Sequence, residues 1–152
     1  MDKSVAIKPV GCTNLKLRQL TRRISQHYDT HMAPLGIKTT QYSLLSAVQK
    51  LGPIQPSALA RTLEMDVSTL SRNMRPLIDQ GLLELAPGAD ARSRQLLITD
   101  AGRVLRDQAQ KSWRAAQESI NRLLGVSNVT ALHALLDQSL TQLRTSTGKI
   151  NE

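Results

Sequence analysis

Aromatic residues are almost missing from this chain, which has no Phe, one Trp and two Tyr in 152 residues. Proteins that hold RNA or single-stranded DNA stack bases on aromatic platforms, so that class of binder is excluded for want of platforms. Cysteine is equally scarce. The single Cys12 rules out an intrachain disulfide and makes a reducing cytoplasm the expected compartment. Long apolar runs are lacking too. The longest uncharged segment, Leu123 to Leu136, is broken by Gly125, Ser127, Asn128 and Thr130, whereas crossing a bilayer takes about 20 apolar residues, so no membrane partner is expected. The opening MDKSVAIKPVGC has no apolar centre of the kind an export signal needs. Gly11-Cys12 has the form of a lipoprotein cleavage site, but no hydrophobic segment precedes it. Acidic side chains are outnumbered by basic ones, 12 to 20, for a formal net charge of +8. That surplus suits a polyanionic partner without choosing which one.

Catalytic constellations are absent as well. The chain has no Gly-x-Ser-x-Gly elbow, no phosphate-cradling glycine loop and no Cys-His arrangement, so an enzyme is not expected. His27 and His31 stand four apart on one predicted helix, but two ligands do not make a zinc site, and surface or interface histidines are the simpler reading. No metal or cofactor is expected.

What is present is helical periodicity around a short basic unit. A hydrophobic fraction of 40% with 21% charged residues supports one domain with a genuine core. Residues 1–11 carry Pro9 and Gly11 and no period, and read as an arm. From Thr13 to about Met32, Leu17, Leu20, Ile24 and Tyr28 form one helical face, with Lys16, Arg18, Arg22 and Arg23 off it. Pro34 and Gly36 end that helix. Thr39-Thr40 opens the next, with Tyr42, Leu44, Leu45, Val48 and Leu51 inward, and Gly52-Pro53 breaks it. Pro56 begins a third helix running to about Glu64.

The stretch from Ser57 to Thr99 carries the functional signal. Asp66 is the expected N-cap of a helix from Val67 to Gln80, which sets Leu70, Met74, Leu77 and Ile78 inward and Ser68, Thr69, Ser71, Arg72, Asn73 and Arg75 outward. Hydroxyl, amide and guanidinium groups along a helix are what base edges and phosphates in a major groove require. Pro76 predicts a kink rather than an end, and Gly81 a close. Strands over Leu82–Ala86 and Gln95–Thr99 then flank a tip carrying Arg92 and Arg94, which suits a narrow, negative minor groove. From Thr99-Asp100 to Leu124, Val104, Leu105, Ala109, Trp113, Ala116, Ile120 and Leu123 repeat at helical spacing. Ser127 is the expected cap of a last helix with Val129, Leu132, Leu135, Leu136, Leu140 and Leu143 inside. Helices this long outrun a small winged helix, so their apolar faces are expected to bury against one another or a second copy. The expected organisation is an arm and dimerisation helix over 1–36, a winged helix-turn-helix over 37–99 and dimerisation helices over 100–152, mainly α with a small β-hairpin wing.

Gln41-Tyr42-Ser43-Leu44-Leu45, Leu59-Ala60 with Leu63, Ser68-Thr69-Leu70-Ser71-Arg72, Gly81-Leu82-Leu83, the wing Asp90-Ala91-Arg92, and Leu97-Ile98-Thr99 with Gly102 together resemble the MarR family of bacterial winged helix-turn-helix transcriptional regulators. The resemblance covers nearly the whole chain. It implies a cytoplasmic homodimer on a roughly palindromic double-stranded operator, usually a repressor that lets go when a small aromatic or phenolic compound binds or a cysteine is oxidised. Transferred residue by residue, it implies DNA contacts from Ser68, Thr69, Ser71, Arg72 and Arg75, a wing arginine Arg92 positioned by Asp90, and Arg94 as a second phosphate contact. It also implies an effector cleft near Tyr28, His31, Met32, Tyr42 and Trp113. Cys12, at a helix start with Lys16 one turn on, is the only thiol available for redox sensing. The competing reading is a winged helix that binds a protein partner and uses its basic surplus for solubility alone.

Overall fold

The computed structural model describes residues 8–90 and 92–148. The expected arm therefore falls, for residues 1–7, outside the described part. Helix α1 (Thr13–Met32) starts at Cys12, whose extended backbone lets its Sγ accept from the Leu15 N–H at 3.5 Å. A 3-10 turn over Ala33–Leu35 follows, and Gly36 turns the chain at φ +69°, a conformation that costs glycine little. Helix α2 (Thr39–Leu51) is tied to α1 at its first turn: the Asp29 carboxylate accepts from the Thr39 N–H at 2.7 Å. The Gln41 side chain accepts from the Lys38 N–H at 2.9 Å. Two of the donors that any helix start leaves open are thereby satisfied.

Helix α3 (Pro56–Thr62) ends two residues before the expected Glu64, and α4 (Val67–Asp79) follows after a short turn. Asp66 occupies the cap position as expected, but its side chain makes no capping hydrogen bond, and the carboxylate stays exposed beside the positive helix end. Helix α4 continues through Pro76 and closes at Gly81, where the Leu82 N–H reaches the Leu77 carbonyl at 2.8 Å and the Gly81 N–H that of Ile78 at 2.9 Å.

Strands β1 (Leu83–Pro87) and β2 (Arg94–Ile98) pair antiparallel, Leu83 with Ile98 and Leu85 with Leu96. Each lies one residue from its expected span. At the open end the Leu82 N–H is spent on closing α4, so Leu82 and Thr99 keep only one cross-strand bond, from the Thr99 N–H to the Leu82 carbonyl. Ile54 forms an isolated bridge to Leu96 and gives the hairpin a third, one-residue edge. A bridge of one residue, Ile54, in the two-residue gap between Pro53 and Pro56 leaves no alternating pattern in the sequence.

Thr99 caps α5 (Asp100–Leu124), accepting from the Gly102 N–H at 3.0 Å while its hydroxyl donates to the Gly81 carbonyl at 2.7 Å. A Cβ at position 102 would lie 2.1 Å from the Leu82 carbonyl oxygen, so only glycine allows α5 to leave the hairpin here. Gly125, at φ +85°, separates α5 from α6 (Val126–Gly148). The last helix therefore begins at Val126, and Ser127 lies inside it rather than capping it.

The larger core joins Leu44, Leu45 and Val48 of α2 to Leu59, Leu70, Leu77, Leu83 and Leu96. A smaller one packs Met32, Ile37, Tyr42 and Ala109 together, with Trp113 against them. The long helices depart from expectation. Val104, Leu123, Leu135 and Leu143, expected inward, are 57%, 68%, 62% and 65% exposed, and Leu17, Leu136 and Leu140 are exposed too. These apolar faces of the long helices therefore stay open in the single chain.

Candidate nucleic-acid interface

The amphipathicity of α4 fixes what it presents. Leu70 and Leu77 are wholly buried in the larger core, with Met74 and Ile78 partly buried against it. Ser68, Arg72 and Arg75 are exposed, and Thr69, Ser71 and Asn73 are half-buried at the flanks. The Arg72 guanidinium donates to the Thr69 hydroxyl at 3.4 Å, which holds its fork along the helix instead of leaving it to sample solvent. Ser71, Arg72, Arg75, Pro76 and Asp79 line a shallow surface depression.

The wing tip is organised by Asp90. Its carboxylate accepts from the Arg92 N–H at 3.0 Å and the Ser93 N–H at 2.8 Å, and the Gly88 N–H closes the loop on the Ser93 carbonyl at 2.7 Å. The Ser93 and Arg92 backbone donors hold the Asp90 carboxyl below the usual carboxylate range. Asp90 therefore acts on Arg92 through its backbone, among the described residues making no ion pair with the guanidinium. Arg92 and Arg94 are exposed, and neither has a carboxylate partner among the described residues.

Arg92, Ser93 and Arg94 share an open depression with Gln55, Pro56 and Ser57 at the start of α3. In the sequence, Pro56-Ser57 signals only the start of a helix. The polar Gln55 and Ser57 flanking that proline, ahead of a basic wing, were the available signal for such a recess.

The residues expected around an effector lie on α1, α2 and α5. The Tyr28 hydroxyl donates to Gln117 Oε1 at 2.5 Å, and burial pushes the phenol pKa up, which keeps it a donor. His31 Nδ1 lies 3.0 Å from the His27 carbonyl oxygen. Met32 and Tyr42 are buried, and Tyr42 stacks on Trp113 with centroids 6.4 Å apart at 29°. The Arg106 guanidinium sits 5.9 Å from the Tyr42 ring centre. Met32, Tyr42 and Trp113 thus meet in one cluster filled by their own side chains, with Tyr28 and His31 half-buried on α1. Cys12 is exposed. Among the described residues, no three His, Cys, Asp or Glu side chains converge as a metal site would need, and no helix is long and apolar enough to cross a membrane.

A model of the MarR family matches residues 35–93. The multiple antibiotic resistance protein MarR of Salmonella typhimurium is 26% identical over 136 residues, spanning 88% of this chain and 92% of that protein. Among solved structures, the M. tuberculosis transcriptional regulator MosR in complex with DNA is similar at a TM-score of 0.74 and 29% identity, covering 88% of this chain and 99% of that one. The transcriptional repressor CouR, bound to a 23-mer DNA duplex, shares the fold at a TM-score of 0.76 and 23% identity, over 85% of this chain and 92% of that one.

Proposed function

We propose that this chain is a winged helix-turn-helix transcriptional regulator of the MarR type, a cytoplasmic homodimeric repressor whose α4 helices read successive major grooves of a roughly palindromic operator. One observation carries the reading. On α4 a polar, basic face stands open over fully buried Leu70 and Leu77, while Arg92 and Arg94 of the wing have no carboxylate partner among the described residues. Ser68, Thr69, Ser71, Arg72 and Arg75 contact base edges and phosphates; Arg92 and Arg94 contact the flanking backbone or minor groove, with Asp90 shaping the tip. The segments 1–36 and 100–152 pair the two copies through the apolar faces left open on α1, α5 and α6, and two-fold symmetry spaces the α4 helices about one DNA turn apart. The chain supplies no catalytic step. Release comes from a small aromatic effector, or from oxidation of Cys12 to a sulfenic acid, a mixed disulfide or an intersubunit disulfide.

The test is selection of bound fragments from the source genome, followed by anisotropy titration of the recovered duplex against a scrambled one at several salt concentrations. Preference for the recovered duplex, with affinity falling steeply as salt rises, is the expected result. Equal competition by the scrambled duplex would instead mark a protein-interaction module.

A further inference from the structure

We propose that the outer face of α1 is a second docking surface for double-stranded DNA, one that holds a duplex segment other than the one read by α4. The charge of the chain is unevenly placed. Residues 37–99, which include α4 and the wing, carry seven basic side chains against five acidic ones. Helix α1 alone carries Lys16, Arg18, Arg22 and Arg23 against Asp29, and the Asp29 carboxylate is taken up by the Thr39 N–H. Gln19, Arg22, Arg23 and Gln26 are exposed and line one shallow recess. Among the described residues none of these four side chains is engaged in a hydrogen bond, and neither arginine has a carboxylate partner.

Helical period and packing place this face. On α1 it lies roughly opposite the apolar row Leu17, Leu20, Ile24 and Tyr28. Pairing of two copies through that row leaves the basic face outward, once on each copy. Its distance from the wing follows from the antiparallel course of α1 along α5. Tyr28 meets Gln117 and Met32 clusters with Ala109, so α1 runs toward its N-terminus as α5 runs away from the hairpin. At 1.5 Å per residue, Gln117 lies about 26 Å along α5 from Asp100, and Arg22 about 9 Å farther. The face therefore stands on the order of 35 Å from the root of the wing, beyond any side chain that serves the segment held by Arg92 and Arg94.

The chemistry selects a duplex. Arg22 and Arg23 offer paired N–H forks that suit phosphate oxygens, and Gln19 and Gln26 add uncharged donors beside them. Arg18, four residues before Arg22, continues the row of cations by about 6 Å. A single strand needs stacking rings, and this face has none. An acidic protein needs an apolar centre to its interface, whereas the nearest apolar side chain on this side, Leu15, stands a full turn outside the recess. A lipid surface would take the apolar row of α1, which packs toward α5. Contact with phosphates alone makes the surface indifferent to base sequence. That one dimer joins two DNA segments rests on the proposed reading by α4; docking of a duplex on α1 does not.

The experiment uses the full chain, its selected operator duplex and a short unrelated duplex carrying a dye. Operator-saturated protein at low salt is expected to take up the unrelated duplex, read as comigration of both duplexes in sedimentation and as a rise in anisotropy. Arg22→Gln combined with Arg23→Gln is expected to weaken that uptake about 10-fold or more and to flatten its log K against log salt slope by about 2. Both positions are exposed, and glutamine suits a helix as well as arginine does. The same variant is expected to hold the operator within about 2-fold of the wild-type Kd, since these cations touch none of its phosphates. Arg22→Lys with Arg23→Lys, which keeps the charge, is expected to retain most of the uptake. No uptake by operator-saturated protein, or uptake unchanged in the glutamine variant, would overturn the proposal. Equal weakening of operator binding would place the face on the operator's own path and overturn it as well. Displacement of the unrelated duplex by polyglutamate at equal charge would assign the face to an acidic protein instead. If no duplex is selected at all, the reading by α4 fails, and the unrelated duplex titrated on wild type and glutamine variant still decides α1.

Discussion

Arg144, near the end of α6, donates its Nε proton to the carboxylate of Glu64, the turn residue between α3 and α4. The C-terminal helix thereby touches the corner of the helix-turn-helix. Glu64 is also a non-glycine residue at positive φ, +52°. The turn closes as α4 does at Gly81: the Met65 N–H reaches the Ala60 carbonyl at 2.9 Å and the Glu64 N–H that of Arg61 at 3.1 Å. At Gly81 that conformation is free of side-chain conflict; at Glu64 it costs about 1 kcal/mol or a little more.

Two effects therefore oppose each other at Glu64. Glycine there relieves the backbone by about 1 kcal/mol and forfeits an exposed ion pair that is worth less than about 1 kcal/mol. Glu64→Gly is expected to lie between neutral and about 1 kcal/mol more stable, and Arg144→Ala to lose less than about 1 kcal/mol, in urea denaturation at low salt. A large loss for Glu64→Gly would show that the ion pair outweighs the backbone.

Gly102→Ala is expected to be among the most damaging small substitutions. Its added methyl would meet the Leu82 carbonyl at 2.1 Å, and backbone cannot swing aside as a side chain can. Overpacking of this kind costs about 1–3 kcal/mol or more, read as a fall in Tm. Thr99→Val removes the α5 cap and the hydroxyl bond to Gly81 and is expected to cost about 0.5–2 kcal/mol. A wild-type Tm in Gly102→Ala would mean that α5 leaves the hairpin by another route.

The wing tip carries a pH signature. The folded-state pKa of Asp90 lies below its ordinary value because backbone N–H groups bind the charged form. Its contribution is thus present above the unfolded carboxylate pKa of about 3.9 and is lost as pH falls through the lower folded value. The amide resonances of Arg92 and Ser93 should hold constant down to about pH 4 and move only below it. Titration of those amides at higher pH would contradict the turn. Asp90→Ala, which deletes the acceptor, is expected to loosen the tip and weaken duplex binding, while Asp90→Asn retains an acceptor oxygen and is milder.

Arg92→Ala and Arg72→Ala should part company in DNA binding. Removing a wing cation from both copies is expected to weaken all duplexes together and to flatten the log K against log salt slope by about 2. Removing Arg72 should also relax base preference by about 1–3 kcal/mol at one position of each half-site. Anisotropy on the operator and its single-base variants distinguishes them, and unchanged affinity in both variants would refute the docking mode.

Local signals in the sequence were enough to place most elements. The bounds of α1 at Thr13 and Met32, the starts of α2 at Thr39 and α3 at Pro56, and the close of α4 at Gly81 follow from periodicity and from residues whose backbone freedom is unusual, and these act within a turn or two of chain. The exposed face of α4 was readable for the same reason, since burial of Leu70 and Leu77 dictates where Arg72 and Arg75 must point. What needed the folded chain were relationships between distant segments. Glu64 and Arg144 stand 80 residues apart, Ile54 joins the wing only by meeting Leu96, and a cavity beside Leu70 exists only where two helices fail to close completely. The sequence alone determined which faces are apolar, polar or basic, because side-chain chemistry and helical period are properties of neighbours. Tertiary structure decided which of those faces meet, which stay open, and that Asp90 holds the wing by its backbone, because such contacts depend on where the chain returns to itself in space.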